Sequence, residues 1–169
     1  MRSSIACGLA VIGGVLAGAA FAAEQGLVEP GGKIGAMTVV RGDIDNSELN
    51  VFDPCPLAAP KPGTYHTSCT VAKVPRLFIG AGQHGQTQKE LDYAWKRERW
   101  RLWVDGRQVD LPRFGTTDKH QQSIIGKLGF WRTWTVTLAG APSGKHTIHY
   151  QVQTPSGPID FTLAITIVK

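Results

Sequence analysis

The chain has 169 residues, 42% of them hydrophobic and 18% charged, which is typical of one globular domain and excludes a disordered or fibrous protein. Its 18 Lys and Arg against 13 Asp and Glu give a formal net charge of +5 that is spread along the chain. It therefore lacks the dense basic stripe of a nucleic-acid-binding protein, and we expect no nucleic-acid partner. Twenty Gly and ten Pro are too many turn-forming residues for a helical bundle, and they favour many short strands.

The first 22 residues have the features of a secretory signal peptide. Arg2 and the free amino group form a short positive region, an uncharged run follows over 5–19, and Ala20-Phe21-Ala22 is a typical cleavage site. We predict a signal peptide over 1–22, a flexible mature N-terminus over 23–32 and a single domain over 33–169.

The alternative for the N-terminal segment is a retained membrane anchor. The stretch 5–23 has about 19 residues, which just spans a hydrocarbon core of roughly 30 Å. Its clusters of Gly and Ala and the cleavage site favour removal. We therefore expect a secreted or periplasmic protein without stable membrane insertion.

Removal of the signal peptide leaves two cysteines, Cys55 and Cys69. An even pair of cysteines in an exported protein predicts a disulfide, which here would close the proline-rich loop 53–63. A metal or redox site would need partners at short spacing, and the chain has no C-x-x-C motif.

The first half of the domain predicts short strands followed by one helix. Hydrophobic runs bounded by Gly, Pro or Asp predict strands over 34–40, 49–51, 65–72 and 77–79. The pattern then changes at Thr87-Gln88-Lys89-Glu90, which is a capping box, and apolar residues follow at helical spacing. We predict one short helix over about 88–97.

The stretch 100–111 predicts a β-hairpin, because Asp105-Gly106 separates two alternating runs. With these as the two turn residues, the predicted pairs are Val104 with Arg107, Trp103 with Gln108, Leu102 with Val109, Arg101 with Asp110, and Trp100 with Leu111. Trp100 and Leu102 then face the core, whereas Arg101 and Trp103 face the other way.

The last third of the chain predicts a long connection and then closing strands. Residues 112–129 contain Gly and Lys, and we interpret them as a connection of the length that is often functional. Alternating apolar residues then predict antiparallel strands over 133–138, 148–153 and 160–167.

This closing pattern resembles the last strands of bacterial secreted immunoglobulin-like and fibronectin type III-like domains. The matching residues are Trp134 to Leu138, the turn and strand from Pro142-Ser143-Gly144 to Tyr150, and Gly157 to Ile167. The resemblance implies a two-sheet sandwich and says little about activity. The predicted fold is all-β: an antiparallel, two-sheet, immunoglobulin-like sandwich with one short inserted helix.

The sequence contains no recognisable catalytic or metal-binding motif. His146 and His149 point to opposite faces of one strand and cannot hold a metal together, although a zinc or copper site assembled from separate loops stays an open alternative. We assign no metal ligand, cofactor or catalytic residue. Candidates for acid/base chemistry are Glu90, Asp92, Asp118, His84 and His120, but nothing pairs them by spacing, so we interpret them as surface residues. The run from Lys96 to Arg99 is interpreted as a solvated helix end.

The tryptophans are the strongest indication of function. Trp95, Trp100 and Trp134 have the parity of core residues, whereas Trp103 and Trp131 have the parity of an outer face, with Arg101 beside Trp103. A rigid outward aromatic next to a cation suits a sugar ring or a protein partner, unless the helix or the long connection covers that face.

Arg101, Trp103 and Trp131 are therefore the predicted binding residues of a secreted, non-catalytic module that engages a protein or a glycan. Two alternatives stay open. One is a small secreted enzyme with its site between the helix and the 112–129 connection, and the other is a structural component of the cell envelope.

Overall fold

The computed structural model describes residues 26–42, 48–56, 61–122 and 128–169, and these are mostly β. The strands are β1 (Lys33–Ile34), β2 (Met37–Arg41), β3 (Leu49–Asn50), β4 (Gly63–Ala72), β5 (Arg76–Phe78), β6 (Gly82–Gly85), β7 (Arg99–Val104), β8 (Arg107–Val109), β9 (Thr116–Gln122), β10 (Leu128–Trp134), β11 (Val136–Ala139), β12 (Gly144–Thr154) and β13 (Gly157–Val168). The helices are α1 (Gln88–Arg97) and the four-residue α2 (Leu111–Phe114).

The strands form three sheets. The front sheet has the order β4-β13-β12-β7-β8, the back sheet β1-β2-β11-β5-β3, and the side sheet β6-β10-β9. The front and back sheets share one buried core, to which both contribute alternate residues. Its buried members include Leu102, Ile148, Leu163 and Ile165 from the front sheet and Met37, Val39, Leu77 and Leu138 from the back sheet. The predicted all-β sandwich is confirmed at this level. The prediction of two sheets and one helix is wrong, because β6, β10 and β9 form a third sheet and α2 is a second helix.

A buried tyrosine links the front sheet to the chain that leaves the back sheet. The Tyr150 hydroxyl donates to the Ile79 carbonyl at 3.0 Å and accepts from the Ala81 N–H at 3.2 Å. Burial raises the pKa of this hydroxyl, which stays protonated and keeps its donor role. The two sheets are therefore held together by a polar contact inside the core as well as by apolar packing.

The prediction of purely antiparallel pairing is wrong at two places. β12 pairs antiparallel with both β13 and β7, but β4 pairs parallel with β13, and β3 pairs parallel with β5. A parallel neighbour needs a long connection. β4 and β13 are separated by most of the domain, so the chain is long enough to bring them together in the same direction.

The prediction of a long connection over 112–129 is also wrong. That stretch contains all but the first residue of α2, the whole of β9 and the start of β10, while 123–127 lie outside the described residues. The segment 133–138 is divided between β10 and β11 in two different sheets. The sequence Thr116-Thr117-Asp118-Lys119-His120-Gln121-Gln122 in β9 has no aliphatic residue. A search for apolar alternation therefore misses this strand.

The side sheet continues two strands of the back sheet, since β6 follows β5 and β10 precedes β11 in the chain. A break in the hydrogen-bond ladder separates the two sheets. Across the break, the Ile79 N–H donates to the Val136 carbonyl at 2.9 Å, and the Trp134 N–H donates to the Ala81 carbonyl at 3.0 Å. Gly80 lies inside it, where a β-carbon would stand 1.8 Å from the Trp134 carbonyl oxygen. Only glycine allows the two backbones to approach this closely.

Helix α1 begins and ends as predicted and lies on the side sheet. Thr87 Oγ1 accepts from the Glu90 N–H at 3.2 Å, and the Glu90 carboxylate accepts from the Thr87 N–H at 3.3 Å, so the capping box is formed. Leu91 is fully buried. The Arg132 guanidinium on β10 contacts Asp92 of the helix at 3.1 Å, which holds the helix against the sheet.

The β7–β8 hairpin turns at Asp105-Gly106, where both residues have positive φ, as a two-residue hairpin turn requires. The three inner pairs, from Val104–Arg107 to Leu102–Val109, are confirmed. The predicted pairs of Arg101 with Asp110 and of Trp100 with Leu111 are wrong, because β8 ends at Val109 and the chain enters α2.

The segment before β1 occupies the place beyond β8. Val28 is 4% exposed; its N–H donates to the Gln108 carbonyl at 2.8 Å, and its carbonyl accepts from the Asp110 N–H at 2.9 Å. The stretch 23–32 was predicted to be a flexible terminus, and residues 26–32 are the part of it that the structure describes. Within that part, Val28 is anchored to the domain by two backbone hydrogen bonds.

The predicted disulfide between Cys55 and Cys69 is present, with its two Cα atoms 5.6 Å apart. It links the loop after β3, at one edge of the back sheet, to β4, at one edge of the front sheet. In the chain-entropy account, a bridge over a loop of this length stabilises the fold by about 3 kcal/mol. Within the described residues, no helix has the length and apolar character needed to cross a membrane; the predicted signal peptide, 1–22, lies outside them.

Candidate functional site

The solvent-facing side of the front sheet, here called the outer face, carries polar side chains around one tryptophan. Alternate residues of each strand point this way, while their neighbours in sequence are buried in the core. Around its centre the outer face presents Arg99, Arg101 and Trp103 of β7, Thr147, His149, Gln151 and Gln153 of β12, Asp160 and Thr162 of β13, and Thr64 and His66 of β4.

Trp103 is held in place by its neighbours across the sheet. Its ring stacks on the ring of His149 with centroids 4.9 Å apart and an interplanar angle of 21°. His149 Nε2 lies 3.0 Å from the Asp160 carboxylate on the next strand. Because His149 is fixed from the far side, the half-buried Trp103 ring has a rigid support and keeps an open side.

This ring lines an open depression of about 420 Å³ at the turn end of the face. The lining residues are Trp103, Gly106, Thr147, His149 and Thr162. The depression thus combines one aromatic surface with two hydroxyl groups and an imidazole.

Arg101 lies on the same face as Trp103, because the two residues are two positions apart on β7. It is exposed and pairs across the sheet with Gln151. No hydrogen bond or ion pair with another described residue holds its guanidinium, and the predicted pairing with Asp110 does not form. The group is therefore available to a ligand.

Trp131, the third predicted binding residue, lies in the side sheet instead. Its ring contacts His84 with centroids 4.6 Å apart, and its buried Nε1 has no hydrogen-bond partner. It is not among the residues that line the Trp103 depression. The structure thus brings Arg101 and Trp103 together and places Trp131 elsewhere, because the ladder changes sheets at Thr135.

A second concave site lies where the C-terminal end of α1 meets β7. Trp95 stacks on Trp100 at 5.8 Å and contacts Trp134 at 5.1 Å between ring centroids. Together with Lys96, Glu98, Arg99 and Pro112, these rings line a cleft of about 300 Å³, here called the tryptophan cleft. Trp100 and Trp134 also pack against the core, as their parity predicted.

Glu98 is a buried carboxylate in this cleft, only 7% exposed. One of its oxygens accepts from Gln83 Nε2 at 2.6 Å, and the other accepts from Trp100 Nε1 at 3.0 Å. Burial raises the pKa of the carboxyl group, and the two hydrogen bonds oppose this effect without cancelling it.

The interpretation of 96–99 as a solvated run is therefore wrong at Glu98. A signal was present in the sequence, because Glu98 shares the parity of Trp100 and Leu102, which point into the core.

The five acid/base candidates from the sequence have other roles. Glu90 belongs to the capping box, and Asp92 and Asp118 are both paired with Arg132, the latter at 2.5 Å. The hydrogen bonds from Arg132 lower the pKa of Asp118. The His84 ring contacts Trp131 in a tilted arrangement, and the His120 ring stacks on Phe130. In the described parts of the chain, no group of three or more His, Cys, Asp or Glu is arranged to hold a metal ion.

Comparison with known proteins gives no family for this chain. It matches no model of a protein family and no curated protein. Among solved structures it is similar to PbICP-C, determined in complex with falcipain-2, with 14% identity and a TM-score of 0.35 over 72% of this chain and 98% of that one. It is also similar to Amebosin, with 16% identity and a TM-score of 0.28 over 64% of this chain and all of the other. Likenesses this low carry no argument about fold or function.

Proposed function

We propose that the protein is a secreted, non-catalytic binding module with an immunoglobulin-like sandwich, which engages a protein or a glycan through the outer face of its front sheet. The observation that carries the proposal is the Trp103 ring, which is supported by His149, open on one side and flanked by an unpartnered arginine. The signal-peptide pattern and the disulfide support export.

The physical reason is preorganisation. An aromatic ring that is already fixed loses little conformational entropy when a ligand stacks on it, and it contributes a large contact area. Charged and polar groups around the ring then set orientation and specificity. A sheet provides a rigid platform for such a group, because every strand is held by its neighbours.

The test is a binding screen with the Trp103→Ala variant, using glycan arrays and defined peptides as ligands. We expect the variant to lose at least tenfold in affinity for whatever the unaltered protein binds, with its melting temperature nearly unchanged. Trp131→Ala is the matched control, since it removes the same side chain from a different sheet. Unchanged binding by Trp103→Ala would overturn the proposal.

A second candidate function is acid/base catalysis in the tryptophan cleft, which the raised pKa of Glu98 favours. It ranks lower because each Glu98 oxygen already accepts a hydrogen bond from the protein, and no other carboxylate or histidine lines the cleft. Turnover that is lost in Glu98→Gln and retained in Trp103→Ala would favour the enzyme over the binding module.

A further inference from the structure

From the chemistry of the outer face we infer that its ligand is a carboxylated polysaccharide, a chain of uronic-acid sugars that stacks on Trp103 and pairs its carboxylates with Arg101. This inference rests on the proposed function and specifies the ligand class of the same site.

The outer face carries more cations than carboxylates. Among the described strand residues that point outward from the front sheet, Arg99, Arg101 and Lys145 are cations and Asp160 is the one carboxylate. Asp160 is already engaged by His149 at 3.0 Å. The Asp105 carboxylate, in the adjoining turn, is likewise engaged by the protein. The face therefore attracts anions, and the carboxylates on and beside it are directed at neighbours.

The two arginines of the outer face differ in their hydrogen bonds. Arg99 Nη1 donates to the carbonyls of Lys96 at 3.3 Å and Glu98 at 3.0 Å, at the end of α1. Arg101 has no such contact, so its planar guanidinium is free to bind a carboxylate through two parallel hydrogen bonds. The site thus contains one free guanidinium with a defined geometry rather than a diffuse positive patch.

The outward side chains of β7 form a line. Arg99, Arg101 and Trp103 alternate along one strand and span about 13 Å, at about 3.3 Å per residue. Gln153, Gln151 and His149 run beside them on β12, each directly opposite its partner. A linear polymer laid along β7 would therefore meet an aromatic ring and then a free guanidinium, with the two amides of Gln151 and Gln153 alongside.

The surroundings of Trp103 suit a polysaccharide better than a protein partner. Protein interfaces are organised around a buried apolar core. The immediate neighbours of Trp103 on the outer face are Arg101, Gln108, Thr147, His149 and Thr162, none of them aliphatic. One aromatic ring surrounded by hydrogen-bonding groups matches a sugar ring edged by hydroxyls better than it matches a hydrophobic protein surface.

The experiment titrates the mature protein, without residues 1–22, with polygalacturonate and with alginate, and follows binding by calorimetry. Methyl-esterified polygalacturonate is the matched ligand control, because it keeps the sugar backbone and loses the charge. We expect binding to at least one of the two uronates. Esterification should lower the affinity at least tenfold, and a rise in salt concentration should lower the affinity for the acidic polymer.

Four variants test the site. Trp103→Ala and Arg101→Ala should each lower uronate affinity at least tenfold, and Arg101→Lys should recover part of the loss, because it restores charge but not the fork. Lys33→Ala, which removes one cation from the back sheet, should bind as the unaltered protein does.

Each result has a defined consequence. Equal binding of the esterified and acidic polymers, or binding of peptides alone, overturns the uronate inference, and the proposed function survives if that binding still depends on Trp103. If Trp103→Ala binds uronate as the unaltered protein does, and sulfated dextran binds equally well, the binding is simple ion exchange. That result overturns the inference. No Trp103-dependent binding to any ligand overturns both.

Discussion

The outer face and the tryptophan cleft both combine tryptophan rings with charged side chains, but these groups are engaged by neighbours in the cleft and partly unengaged on the outer face. In the cleft, Trp100 donates to Glu98, and its ring stacks on Trp95, so aromatic and acidic groups satisfy one another. On the outer face, the acidic group is taken by His149, while Arg101 and one side of Trp103 are free. Trp100 is thus part of the scaffold, with its ring and its N–H both engaged, whereas Trp103 keeps one side of its ring open.

The largest expected effect is on the scaffold side of this comparison. Trp100→Ala should cost about 3 to 5 kcal/mol of unfolding free energy, because it removes a large ring packed against the core and leaves one Glu98 oxygen without its donor. Urea denaturation followed by circular dichroism measures it. Trp103→Ala is the control and should change the unfolding free energy by less than about 1 kcal/mol. Similar losses in the two variants would mean that both tryptophans are structural.

The next effect is the pH dependence caused by Glu98. Its folded-state pKa is raised above the ordinary value of 4.5, so in the pH range just above 4.5 the folded protein binds more protons than the unfolded chain. Stability from this group should therefore fall as pH rises from 4.5 through the folded-state pKa, and then level off.

Glu98→Gln removes this titration and keeps the size of the side chain. As pH is lowered toward 4.5, the unfolding free energy of the unaltered protein should rise relative to that of Glu98→Gln. A difference that does not change over this range would show that Glu98 titrates as an exposed carboxyl group.

A smaller effect is expected at the support of Trp103. His149→Ala should change the unfolding free energy by no more than about 1 kcal/mol, since its pairing with Asp160 is partly exposed. Ligand affinity should nevertheless fall several-fold, because the Trp103 ring loses the surface that fixes it. His120→Ala, which removes a ring stacked on Phe130 in the side sheet, is the matched control for binding.

The smallest effect on stability is expected for Arg101. Arg101→Ala should shift the unfolding free energy by less than about 0.5 kcal/mol, because the side chain is exposed and makes no contact that folding must preserve. Arg132→Ala should cost more, since Arg132 joins Asp92 and Asp118 across the helix and the side sheet. Thermal unfolding of the two variants side by side measures the difference, and a larger loss in Arg101→Ala would contradict our description of the outer face.

Part of the candidate site could be predicted from parity alone. Arg101 and Trp103 were placed on the outer face because residues two apart on a strand share a side, and Leu102 identifies the buried side. His149 and Asp160 could not be added in this way. They become neighbours of Trp103 only because β12 pairs with β7 and β13, and nothing in the local pattern states that pairing.

By itself, the sequence determined the features that depend on a few adjacent residues. The capping box set the start of α1, Asp105-Gly106 set the hairpin turn, and the cysteine count identified the bridge. The tertiary structure decided the features that depend on partners far apart in the chain.

These features include the parallel pairing of β4 with β13, the side sheet that separates Trp131 from Trp103, and the burial of Glu98. Their common physical reason is that a strand's direction, and the exposure of its side chains, are set by whichever strand or helix packs against it. Which element packs against a given strand depends on the free energy of the whole core.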